Sequence, residues 1–111
     1  APRAATLGAT RAWAVEHLGE PLGVVRLAEH ACVSPRTFAR RFREETGTTP
    51  AQWVLGKRVA LAQQLLERTD LAVEEVATQA GFGTAASLRE HLARRARTTP
   101  TAYRRAFRSV A

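Results

Sequence analysis

The stretch Leu27–Pro50, LAEHACVSPRTFARRFREETGTTP, has a second version further along the chain at Val76–Pro100, VATQAGFGTAASLREHLARRARTTP. The two align with one extra residue in the second turn. Leu27-Ala28 pairs with Val76-Ala77, Phe38 with Leu88, Phe42 with Leu92, and Thr49-Pro50 with Thr99-Pro100. Similarity at a fixed spacing marks a duplicated unit, and everything else is organised around it. In the first copy, Val24, Leu27, Ala28 and Ala31 follow helical spacing. Ser34-Pro35 then starts a longer helix. The serine offers a capping oxygen, and the proline lacks an N–H that would be unpaired there anyway. Gly47 suits the left-handed residue that closes this helix.

Outward from the repeat, Thr49-Pro50 opens another helix, predicted to run to about Arg68 with apolar positions Trp53, Leu55, Val59, Leu61 and Leu65. Asp70-Leu71 marks a break, and Val73, Val76, Ala77 and Ala80 begin the second copy. A leading helix near Leu7 to Leu18 and a terminal helix opened by Thr99-Pro100 bring the expected number to seven. No alternating run is long enough for a strand. The predicted fold is all-α, with subdomains over 1–49 and 70–111 joined by a long central helix over 50–69. A short helix, a tight turn and a longer helix, with a small residue where the two approach (Ala28, Ala77), is the helix-turn-helix pattern. Two in tandem with matching caps are a far stronger signal than one.

The first long helix carries the functional argument. At 100° per residue, Phe38 and Phe42 lie about 40° apart and define a buried side, while Arg36, Arg40 and Arg43 fall within an arc of about 60° roughly opposite. Guanidiniums on the outward face of the second helix of such a motif are what entry into the DNA major groove requires, because the planar fork matches the guanine edge. Arg36, Arg40 and Arg43 are therefore the expected base readers. Ser34, Thr37 and the flanking Arg41 are expected on phosphate or in secondary contacts. In the second copy, Leu88 and Leu92 define the buried side, and Ala86, Glu90 and Arg94 lie opposite. Glu90 can accept from a cytosine amino group but repels phosphate. The expectation is an asymmetric reader: the first copy specifies sequence, and the second grips the backbone through Thr84, Ser87, Arg89, Arg94 and Arg95.

Composition agrees without deciding. The 111 residues hold 17 basic and 10 acidic side chains, a net charge of +7. All the basic residues but Lys57 are Arg, and from Arg89 onward seven Arg face a single acid, Glu90. A polyanionic partner fits, with Arg94, Arg95, Arg97, Arg104, Arg105 and Arg108 adding salt-dependent affinity. No apolar run approaches the ~20 residues of a membrane span, and no signal-peptide pattern opens the chain. The single Cys32 allows no internal disulfide and fits a reducing, cytoplasmic setting. The absence of an initiator Met leads to the expectation of an N-terminal sensor or dimerisation domain outside this sequence.

These residues resemble the AraC/XylS family of transcription regulators, from about Ala12 to Phe107. The most specific part is AGFGTAASLREHLARRARTTPTAYRRAFR at Ala80–Arg108. The first copy, SPRTFARRF followed by TGTTPAQW, is closest to the branch with a DJ-1/amidase-like N-terminal domain, which includes A-factor-responsive and GlxA-like regulators. The resemblance implies a homeodomain-like, AraC-type fold that binds promoter double-stranded DNA, with RNA polymerase as a further possible partner. It also implies that Arg36 and Arg40 read bases. Two departures stand out. Arg97 occupies the place of Gly47, so the end of that helix is expected to fray or close differently. Leu92 replaces a common aromatic, so looser packing is expected.

Other constellations carry less. His30-Ala31-Cys32 has no further ligands at zinc spacing and reads as a structural turn. His17 and His91 lack a carboxylate partner at a telling spacing, and Trp13 and Trp53 read as core. Gly81-Phe82-Gly83 is too short for a phosphate loop. No cofactor, metal site or catalytic residue is expected. The rivals are a non-specific architectural DNA binder and a helical protein-interaction domain; an enzyme ranks last.

Overall fold

Hydroxyl caps mark where four of the helices begin. The structure, a computed structural model, describes residues 6–109, and among them are seven α-helices and no strand. They are α1 (Gly8–Val15), α2 (Val24–Ala31), α3 (Pro35–Thr46), α4 (Pro50–Arg68), α5 (Val73–Gln79), α6 (Ala85–Ala96) and α7 (Pro100–Ser109). Before α3, Ser34 has extended backbone and its hydroxyl accepts the Thr37 N–H at 3.1 Å. Before α6, Thr84 does the same for the Ser87 N–H at 3.1 Å. Thr49 and Thr99 accept from Gln52 at 3.2 Å and Ala102 at 3.1 Å, starting α4 and α7. Each such cap contributes about 1 kcal/mol.

The helix ends repeat as closely. Gly47 closes α3 at φ 79° and donates to the Arg43 carbonyl at 2.8 Å. Arg97 closes α6 at φ 56° and donates to the Ala93 carbonyl at 3.1 Å. The expectation that α6 would fray or close differently is therefore overturned. The arginine takes the left-handed conformation at a cost of about 1–2 kcal/mol, because the chain must turn back at once to start α7, as it does after Gly47 to start α4. The tight turn between the first two helices of each copy shows the same trade reversed. Cys32 sits at φ 60° where the other copy has Gly81 at φ 92°. Val33 donates to the Ala28 carbonyl at 3.1 Å, and Phe82 to that of Ala77 at 2.8 Å. The extra residue of the second turn is Gly83, at φ 81°.

Contacts divide the chain into two units, one ending at Gly56 and one beginning at Lys57, so the division falls inside α4. In the first unit, α1 packs on α2 and α2 on α3. Phe38 and Phe42 are 0% and 1% exposed, with Leu27, Ala28 and Val54 buried beside them. The Phe42 ring lies 5.5 Å from Phe38 and meets the edge of Trp53 at 5.6 Å. Burying one such side chain contributes about 1.5–3 kcal/mol. At the α1 N-terminus the cap residue Leu7 has no side chain able to accept, and the Thr6 hydroxyl takes the Gly8 N–H at 3.0 Å. Glu45, in the last turn of α3, adds a long-range acceptor: its two oxygens accept the Leu7 N–H at 2.9 and 3.0 Å, and Arg11 pairs with it at 2.7 Å. Burial pushes the Glu45 carboxyl up, but the Leu7 N–H and the Arg11 guanidinium outweigh it and hold it below the ordinary carboxylate range.

Helix α1 ends at Val15, before the expected Leu18, and tighter turns follow, with His17 donating to the Ala14 carbonyl at 3.0 Å. Trp13 stacks with both His17 and His30 at centroid distances of 4.5 Å, and Arg26 lies 5.1 Å from the indole centroid. His30 Nδ1 is 2.8 Å from the hydroxyl of buried Thr10. Both histidines are thereby engaged in packing and hydrogen bonding within this unit.

In the second unit, α5 packs on α6 and α6 on α7. Val76, Ala77, Leu88 and Leu92 are each 0% exposed, so the leucine in an aromatic's place is fully covered. Along α4 the buried positions are Val54, Val59, Ala62 and Leu66. Leu55, Leu61 and Leu65, apolar in the sequence, are only half-buried. The helix is apolar on adjacent positions, so hydropathy alone places the stripe one residue off. At the end of α4, Arg104 donates to the carbonyls of Leu66 at 3.1 Å and Thr69 at 2.9 Å. Arg108 pairs with Asp70 at 2.6 Å and also donates to the Thr69 carbonyl. The Tyr103 hydroxyl donates to Glu67. Cations at a helix C-terminus satisfy its last carbonyls and oppose its dipole.

Candidate nucleic-acid interface

Helix α3 buries Phe38 and Phe42 and turns Arg36, Arg40 and Arg43 outward, all three exposed. Both its ends are closed, by the Ser34 cap and by Gly47. Arg36 and Arg43 make no ion pair or hydrogen bond through their side chains among the described residues. Arg40 pairs with Glu44 one turn on, at 3.2 Å, with both side chains 61% exposed. An exposed pair at this spacing contributes only about 0.3–0.5 kcal/mol, against about 1–3 kcal/mol of discrimination for a bidentate contact to a base. Glu44 therefore holds Arg40 only loosely. Sequence reasoning did not single out Glu44, although the i,i+4 spacing was available. Arg41 is half-buried on the flank, near enough to Glu45 to help lower its pKa. Ser34 is exposed and Thr37 half-buried at the α3 N-terminus, where the helix dipole favours an anion.

Helix α6 presents a different face. Leu88 and Leu92 point inward, while Ala86, Glu90, Ala93 and Arg94 are exposed. Glu90 and Arg94 pair at 3.2 Å, with side chains 58% and 72% exposed. Arg89 and Arg95 are exposed as well, Thr84 caps the helix, and Ser87 is half-buried behind it. The phenyl ring of Phe82 stacks with His91 at 5.5 Å.

Of the C-terminal arginines, Arg104 and Arg108 are committed to the end of α4, as described above, whereas Arg105 is exposed. The guanidiniums of those two cap carbonyls of their own unit. No signal in the sequence pointed to this, since the partners lie 35 to 39 positions apart. Among the described residues there is no cluster of His, Cys, Asp and Glu able to hold a metal, and no helix long and apolar enough to cross a membrane.

Residues 27–106 match the model of a helix-turn-helix domain family, which covers both copies of the repeat. The chain belongs to the AraC-type helix-turn-helix family. This AraC-type domain is 48% identical in sequence to the crystal structure of the DNA-binding domain of AdpA, a global transcriptional factor, in complex with a target DNA. That comparison has a TM-score of 0.89 and covers 93% of each chain. A transcriptional regulator with an AraC-type DNA-binding domain from Chromobacterium violaceum is 26% identical, with a TM-score of 0.81 and 88% of each chain covered. Among curated relatives, the HTH-type transcriptional regulator Rv1931c of Mycobacterium tuberculosis is 38% identical over 97 residues. These are 87% of this chain and 35% of that protein, so the AraC-type domain spans about a third of the relative's length.

Proposed function

We propose that this AraC-type domain binds double-stranded promoter DNA in a sequence-specific manner, reading the major groove mainly through α3. The observation that carries the reading is the set Arg36, Arg40 and Arg43, exposed and opposite the fully buried Phe38 and Phe42. A rigid helix so arranged offers bidentate donors to guanine edges, and the likeness to a domain captured on its target DNA supports it. Ser34, Thr37 and Arg41 are assigned to secondary contacts beside α3. Thr84, Ser87, Arg89, Arg94 and Arg95 take phosphate contacts along α6, where they fix register and add affinity without specifying sequence. The role is to position a larger bacterial regulator in the cytoplasm, with a sensor or dimerisation domain and RNA polymerase as its protein partners, and with no catalysis of its own.

Competition between a selected site and random DNA tests the reading. The domain is expected to prefer its site by about 10³-fold or more, and Arg36→Ala and Arg40→Ala each to relax preference at one base pair by about 1–3 kcal/mol. Equal binding to all sequences would leave only a non-specific architectural role, and no binding at low salt would leave a protein-interaction domain.

A further inference from the structure

The two recognition helices are the same length and carry matching caps, so their faces can be compared position by position. Arg40 lies six residues after the cap Ser34, and Glu90 six residues after the cap Thr84. Each stands about 180° from the centre of its buried pair. Each also pairs with the residue one turn further on, but with the charges exchanged: Arg40 with Glu44, and Glu90 with Arg94, both at 3.2 Å. The neighbours differ in kind as well. Arg36 and Arg43 of α3 correspond to Ala86 and Ala93 of α6, all four exposed.

From this exchange we infer that Glu90 is a specificity-determining residue, and that α6 reads a base bearing an exocyclic amino group, preferably cytosine. The inference rests on the DNA-binding reading above and extends it to the second copy. A carboxylate only accepts, and the cytosine amino group only donates into the major groove, so the pairing is chemically selective. Guanine presents two acceptors there and is rejected by a carboxylate. Ala86 and Ala93 leave room around Glu90 and offer methyl groups suited to the thymine methyl. The Arg94 guanidinium, paired with Glu90, offsets part of its repulsion from phosphate. Its hold is worth only about a factor of two for an exposed pair, so Glu90 is free to turn to a base. Helix α3 is thus a donor face for guanine, and α6 an acceptor and methyl face for pyrimidines.

The test is a base-by-base binding scan, with Glu90 variants, of the site that the unaltered domain selects from a random library. Glu90→Ala is expected to flatten discrimination of roughly 5- to 150-fold at one base pair, leaving intact the preferences that Arg36→Ala and Arg40→Ala remove. Glu90→Gln is expected to move the preferred base at that pair from cytosine to adenine, since an amide both donates and accepts. The side chain is exposed and the buried leucines are untouched, so a thermal melt should register both variants as folded. If Glu90→Ala tightens every sequence by one common factor and keeps every preference, the inference is overturned and Glu90 merely repels phosphate. Sensitivity to Arg36 and Arg40 without sensitivity to Glu90 sinks this inference alone. An unaltered domain with no sequence preference sinks the reading of α3 with it.

Discussion

Replacing Arg97 by glycine should make the second unit more stable. Arg97 closes α6 at φ 56° and ψ 40°, is exposed, and makes no hydrogen bond or ion pair through its side chain among the described residues. Deleting that side chain therefore removes strain and almost nothing else. The strain is about 1–2 kcal/mol for an L-residue held left-handed. Against it stand about 0.5–1 kcal/mol for the greater freedom of glycine in the unfolded chain and about 0.3 kcal/mol for a cation lost near a helix C-terminus. The balance is a gain of about 0.5 kcal/mol, or about 2–4 °C in Tm for a unit of this size. Gly47→Arg is the mirror experiment. A side chain there meets nothing within 4 Å, so only the φ of 79° opposes it, and a loss of similar size is expected in the first unit. Thermal and urea unfolding followed by circular dichroism measure both. An Arg97→Gly domain no more stable than the original, or a Gly47→Arg domain unharmed, would refute the claim that backbone strain separates the two copies.

Two further predictions concern protons. Glu45 has a lowered pKa, so its contribution is present above the unfolded value of about 4.3 and is lost as pH falls through the folded one. Acid should weaken the anchoring of α1 on α3, and Glu45→Gln should flatten the Tm-against-pH curve below about pH 4.3. At the other extreme, the Glu67 carboxylate raises Tyr103 to about 12. Its contribution is present below the unfolded value of about 10 and is lost as pH rises through about 12. Tyr103 is the only tyrosine, so tyrosinate absorbance titrates it without ambiguity. Glu67→Gln should bring the midpoint down towards the ordinary value.

What could be read from the sequence was local. The caps Ser34, Thr49, Thr84 and Thr99 act within three residues of themselves, and all four helices begin where these residues stand. The arc of Arg36, Arg40 and Arg43 was equally legible, because helical periodicity fixes which side chains oppose two phenylalanines. The Glu45 cap on Leu7 and the Arg104 and Arg108 caps on α4 were not, because each joins residues 35 or more positions apart. The buried stripe of α4 was not legible for another reason. Where Val54 and Leu55, or Leu65 and Leu66, are both apolar, only the neighbouring helices decide which one is covered. At Arg97 the absence of glycine does not bring a different closure, because surrounding structure imposes the turn and the residue bears the strain.

The aromatic side chains fall so that each unit has its own optical label. Trp13 and Trp53 both precede Gly56, and Tyr103 follows it. Indole emission therefore reports on the first unit, and tyrosinate absorbance, read at alkaline pH, on the second, with no dye attached. A midpoint displaced at one wavelength and not at the other names the half of the molecule that a ligand or a substitution has touched.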